Sequence, residues 1–228
     1  MFSGYESNDP TATVVVADPV EIDSWLARLG LETADVTSPL LIGRAAGANT
    51  TAHNPVSAAG YYRWSESFKA MCDRLCVEER GWERVDLDHQ PLVIHRGLKI
   101  ALLLTSGNDE TGDLISTGAA NRNPKGRATR RSVRENQLVI PFPEAFAPPQ
   151  DDRLTKHGLV TWFLLYALDD EGEMHAELSL PRSIDSNGII NDWALRLVFG
   201  RLDGDDLATN IVPDEPAAPV VEVARRAN

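Results

Sequence analysis

Two apolar runs joined by a polar turn constrain this chain most. Gly158 to Leu168 is apolar on both faces of a strand, so it has to be covered on both sides and predicts a central position in a sheet. Met174 to Leu180 alternates instead: Met174, Ala176, Leu178 and Leu180 face one way, and His175, Glu177 and Ser179 the other. The connector Asp169-Asp170-Glu171-Gly172-Glu173 is polar and holds the glycine that a hairpin turn uses. Pro181 ends the second strand, and His175, Glu177 and Ser179 read as the polar side of a sheet.

Other segments fit around that hairpin. Val14 to Val16 is a short strand-like run. In Asp18-Pro19-Val20-Glu21, Asp18 can cap a helix, Pro19 suits its first position and Glu21 supplies the carboxylate of a capping box. That helix stops at Gly30. Residues 30–53 are rich in Gly, Ala, Thr and Ser and read as a loop or linker. Asn54-Pro55 then opens a helix over about 56–78. Its apolar stripe is Tyr61, Trp64, Phe68, Met71 and Leu75, at steps of three or four. Residues 83–88 alternate as a half-buried strand broken by Pro91. Leu98 to Thr105 reads as a buried strand ending in the turn Ser106-Gly107-Asn108-Asp109. A polar loop to Lys125, a short helix over 128–136 and a short strand over 138–142 follow. Residues 189–202 fit strand and helix templates, with strand preferred.

The pattern predicts an α+β fold: a mixed, mostly antiparallel sheet with the 56–78 helix packed on it in two layers. The domain spans 13–202, between a disordered tip (1–12) and an acidic, Pro/Ala-rich disordered tail (203–228). Cys72 and Cys76 stand four apart and read as buried thiols of a reducing compartment. No apolar run approaches the ~20 residues that span a bilayer, and the first residues do not resemble a secretory signal. The expectation is a cytoplasmic protein without membrane attachment.

Charge is segregated. The chain carries −12 overall, yet Leu114 to Arg134 has no acidic residue and holds Arg122, Lys125, Arg127, Arg130, Arg131 and Arg134. Setting those six aside leaves −18 on the remainder. If 128–136 is helical, Arg127, Arg130, Arg131 and Arg134 share one face at i, i+3, i+4 and i+7, where guanidinium groups can meet successive phosphates. The island has no aromatic residue, which disfavours stacking on single strands.

Three functional readings follow. The first is a non-catalytic nucleic-acid-associated accessory or regulatory protein that contacts phosphates through those six residues. The second is an acidic interaction module or inhibitor acting on a basic protein partner. The third is a metal-dependent phosphodiesterase using Asp86, Asp88, Asp109 or Glu110, although the chain has no Glu-x-Lys or Asp-x-Lys near them. His175, Glu177 and Ser179 carry no expected chemistry. Side chains two apart on one strand stand about 7 Å from each other, and the cysteines of a zinc deaminase would lie downstream of His-x-Glu rather than upstream. No catalytic residue, metal or cofactor is assigned from the sequence.

Overall fold

The computed structural model describes residues 12–87, 89–139 and 158–203. Among them a seven-stranded mixed sheet runs in the order β1-β7-β6-β5-β4-β3-β2. The strands are β1 (Val14–Val16), β2 (Trp82–Leu87), β3 (Gln90–His95), β4 (Ile100–Ser106), β5 (Val160–Leu168), β6 (Met174–Ser183) and β7 (Asp192–Arg201). Neighbours are antiparallel except for the pairs β1/β7 and β4/β5. The helices are α1 (Pro19–Arg28), α2 (Thr33–Ala48), α3 (Ala58–Leu75) and α4 (Arg127–Val139). The α+β class is the one that the sequence predicts. No described helix is long and apolar enough to cross a membrane.

The central hairpin forms as the apolar pattern demands. β5 is buried along nearly its whole length, because one apolar cluster covers each of its faces. Trp162, Leu164 and Tyr166 join the cluster beneath α1, α2 and α3. Phe163 and Leu165 join a second cluster with Leu103, Trp193 and Val133 of α4. β4 and β5 are parallel, so the chain between them must cross over. α4 supplies that crossover, preceded by residues 107–126, which run as a strap over the second face.

Helix α1 begins as its residues require: the Asp18 carboxylate accepts from the backbone N–H groups of Val20 and Glu21, and Pro19 opens the first turn. α3 buries Phe68, Met71 and Leu75 and half-buries Trp64, while Tyr61 is exposed. The run at 189–202 resolves as a strand, β7.

Four local expectations are corrected. Pro181 does not end the hairpin's second strand: β6 runs on to Ser183, with Pro181 opposite Trp193 at a register shift, where a missing N–H is tolerated. Residues 33–48 form helix α2 rather than a linker. Small side chains that look like loop composition are what let this helix lie against α3: a Cβ at Gly43 would strike the Ser67 side chain and the Arg63 carbonyl, and one at Gly47 would sit 3.0 Å from the Ala59 carbonyl. α2 even accommodates Pro39. Pro91 does not stop the sheet, because β3 starts at Gln90 and pairs Pro91 with Asp86 across a tight turn in which His89 takes a φ of +64°. Residues 138–139 belong to α4, and 140–142 lie outside the described residues, as do residues 1–11 of the expected 1–12 tip and residues 204–228 of the expected 203–228 tail.

The α2–α3 seam sets a prediction. Gly43→Ala destabilises the fold by about 1–3 kcal/mol, the usual cost of forcing atoms into a filled space. A denaturant-melt midpoint unchanged from the wild type would show that the two helices can part freely.

Candidate phosphate-binding surface and the strap beside it

Helix α4 is keyed to the sheet along one stripe. Thr129, Val133 and Asn136 are buried at i, i+4 and i+7. Thr129 Oγ1 accepts from Gln90 Nε2 at 2.6 Å, and Val133 packs in the second cluster. Asn136 acts as a substitute strand partner: its amide donates to the Thr161 carbonyl at 2.8 Å and accepts from the Thr161 N–H at 2.9 Å. These contacts fix the rotation of the helix, and the opposite side faces solvent.

Arg127, Arg130, Arg131 and Arg134 converge there on an open groove of about 410 Å³, whose wall, among the described residues, carries one carboxylate, Glu135. Among the described residues Arg127 and Arg134 make no ion pair or hydrogen bond through their side chains. Arg130 leans back on the fold, its Nη2 donating to the Ser186 carbonyl at 2.8 Å.

The other two residues of the basic island go elsewhere. Arg122 is exposed and lines a separate cleft. The Lys125 ammonium turns inward and donates to Thr105 Oγ1, and burial pushes its pKa down to about 8. Between about pH 8 and the ordinary 10.5 the unfolded chain therefore binds the extra proton, so this site makes stability rise with pH across that window. Lys125→Met removes the rise. Denaturation across the same window checks it: equal pH slopes for variant and wild type would mean that this ammonium is well hydrated.

The strap is locked to the sheet by a buried ion pair that the sequence did not announce. Arg196 on β7 is 1% exposed, and Glu177 and Ser179 on β6 are 0% exposed. Arg196 donates to Glu177 through Nε (3.2 Å) and Nη2 (2.5 Å). Its remaining donors reach the strap carbonyls of Ser116 (2.6 Å) and Asp113 (3.1 Å). Glu177 in turn accepts from the Gly112 N–H at 3.1 Å and from Ser179 Oγ at 2.8 Å. Side chains two apart on a strand thus do meet, because the Glu177 carboxylate bends along the strand to reach Ser179. The signal available in the sequence was the lone charge of Leu195-Arg196-Leu197, set within an apolar run.

Further bonds pin the strap: Trp193 Nε1 donates to the Ala119 carbonyl at 2.7 Å, and buried Asn121 bridges Gly188 and Ile190. His175 pairs with Asp169 instead of Glu177, at 3.0 Å, and this hydrogen bond holds the Asp169 carboxyl below its usual range.

The acidic candidates are scattered. Asp86 pairs with Arg84 at 2.8 Å, Glu110 accepts from Ser116, Asp109 lines the separate cleft, and Asp88 lies outside the described residues. Among the described residues no three His, Cys, Asp or Glu side chains gather as a metal site would require. Cys72 and Cys76 are free and half-buried, and burial pushes the Cys72 thiol up to about 12, away from thiolate chemistry.

Comparison with family models, curated proteins and solved structures finds no match. The site therefore has to be read from its own chemistry.

Breaking the Arg196–Glu177 pair from one side leaves a buried charge uncompensated. Arg196→Met is expected to cost about 3–5 kcal/mol, and the double variant Arg196→Met/Glu177→Leu to recover part of it. A single variant as stable as the wild type in urea would show that the pair is dispensable.

Proposed function

We propose that this chain is a non-catalytic nucleic-acid-associated accessory or regulatory protein that grips phosphates with the outer face of α4. One observation carries the reading: Arg127, Arg130, Arg131 and Arg134 line a single open groove on a helix whose rotation is fixed by its buried side. Guanidinium groups present planar, paired donors that suit phosphate oxygens. Arg127 and Arg134 lie seven residues apart, a rise of about 10 Å along an α-helix, which lets the face reach more than one phosphate.

The acidic remainder of the molecule adds orientation. The net charge of −18 outside the basic island opposes a phosphate backbone, so attraction is concentrated on the α4 face. Among the described residues the groove is lined by arginines and one glutamate, with no aromatic ring for a base to stack on. That favours a duplex held by its backbone over an unpaired strand. Arg122 and Lys125, which share the island in sequence, contribute less, because one lines another cleft and the other is turned inward.

Fluorescence anisotropy with a duplex oligonucleotide tests the reading. Contacts from Arg127 and Arg134 alone give a slope of about −2 in log affinity against log salt, and recruitment of Arg130 and Arg131 raises it to about −3 to −4, measured between about 50 and 200 mM. Arg127→Glu/Arg130→Glu/Arg131→Glu abolishes binding. Affinity retained in that variant, or affinity indifferent to salt, overturns the proposal.

A further inference from the structure

A second concavity, of about 880 Å³, opens where the strap meets the β5–β6 hairpin. It lies beyond the carboxyl ends of the parallel strands β4 and β5, the edge at which open sheets with crossover helices commonly hold ligands. Its volume is that of a small-molecule site. The backbone is shaped to leave it open. Gly112 takes a φ of +79° and passes so close to β6 that a Cβ there would sit 2.9 Å from the His175 Cβ. β7 carries a bulge at Phe199, opposite Ala176 and Glu177, and at Gly200 beside it an added Cβ would meet nothing.

The lining is chemically mixed. Asp169 is engaged by His175 and by the Glu173 N–H, and the Asp113 carboxylate by the Ile115 N–H. Arg201 is shared loosely between Glu173 and Asp203. That leaves Asp109, Asp170 and Arg122, all exposed and all without a side-chain partner among the described residues. Beside them stand two bare apolar side chains, Leu114 at 52% exposure and Ile115 at 93%. Four aspartates against two arginines make the cleft hostile to phosphate, so it is not an extension of the α4 face.

From this set we infer that the cleft binds a zwitterion with an apolar side chain, a free α-amino acid or a short peptide. Arg122 takes the carboxylate, Asp109 and Asp170 take the ammonium, and Leu114 and Ile115 cover the apolar part. His175, oriented by Asp169, offers a further hydrogen bond from the floor. The ligand class follows from charges of both signs left unsatisfied around one apolar rim. It stands independently of nucleic-acid binding.

Calorimetric titration of the full chain with leucine, trileucine, N-acetyl-leucine and leucine amide tests the inference. Leucine or trileucine binds saturably, with a dissociation constant of about 1 mM or below, and the probe lacking either charge binds about tenfold more weakly. The tighter of leucine and trileucine tells whether the ligand is an amino acid or a peptide. Arg122→Gln abolishes the advantage of leucine over leucine amide, and Asp170→Asn reduces its advantage over N-acetyl-leucine. Both positions are exposed, and an unchanged melting temperature confirms that the variants are folded. Absence of saturable binding by all four probes, or singly charged probes binding as well as leucine, overturns the inference. So do two variants that leave the titrations unchanged. Duplex binding by Asp170→Asn, measured alongside, reports separately on the α4 face.

Discussion

The guanidinium of Arg196 against the carboxylate of Glu177 is the interaction on which the second face of this sheet depends. Strap residues 107–126 have no helix or strand of their own and would be a poor cover for an apolar surface. A single arginine solves this by spending its donors in two directions, toward a carboxylate on the neighbouring strand and toward two strap carbonyls. Glu177 closes the circuit by accepting from Gly112 on the same strap. An ion pair buried in this way adds little net stability over apolar side chains of the same size. What it supplies is position: it dictates where the strap lies, hence where α4 begins and where the cleft opens.

The two faces of the sheet are covered by different physics. On one side, three helices bury a continuous apolar cluster, and closeness is achieved by removing side chains at Gly43 and Gly47. On the other, the apolar cluster is smaller and polar hooks do much of the fixing: Asn121, Asn136, Trp193 Nε1 and the Arg196 network. Both candidate binding surfaces are on this second side. A cover held by directed hydrogen bonds can leave grooves beside it, which a close-packed helical layer does not.

The sequence was legible wherever burial imposes a period. The β5–β6 hairpin, the Phe68-Met71-Leu75 stripe, the Asp18 cap and the buried strand β4 follow from spacing alone. α2 was not legible, because its packing depends on small residues, which have no apolar period and resemble loop composition. β3 was masked by Pro91, and Asp35, which looks like a surface acid of a linker, is wholly buried between Arg74 and Arg80. On the candidate surface, the i, i+3, i+4, i+7 spacing of four arginines was enough to foresee a shared side. The departures of Arg122 and Lys125 depend on tertiary position, which spacing does not encode. The lone charge of Leu195-Arg196-Leu197 marked a buried arginine, but its partners lie nineteen residues away on the paired strand and on a distant strap, which that local pattern does not name.

The amide of Asn136 hooked onto Thr161 has a consequence for how this molecule can change over time. Successive residues of an α-helix are offset by about 100° around its axis. An insertion or deletion anywhere between Thr129 and Asn136 would therefore turn part of the helix by that angle, pressing an arginine against the apolar floor and setting a hook adrift in water. Exchanging one outward side chain for another costs the fold almost nothing. Lineages descended from this chain are thus free to retune the charge of the surface by replacement, while the length of that segment is frozen.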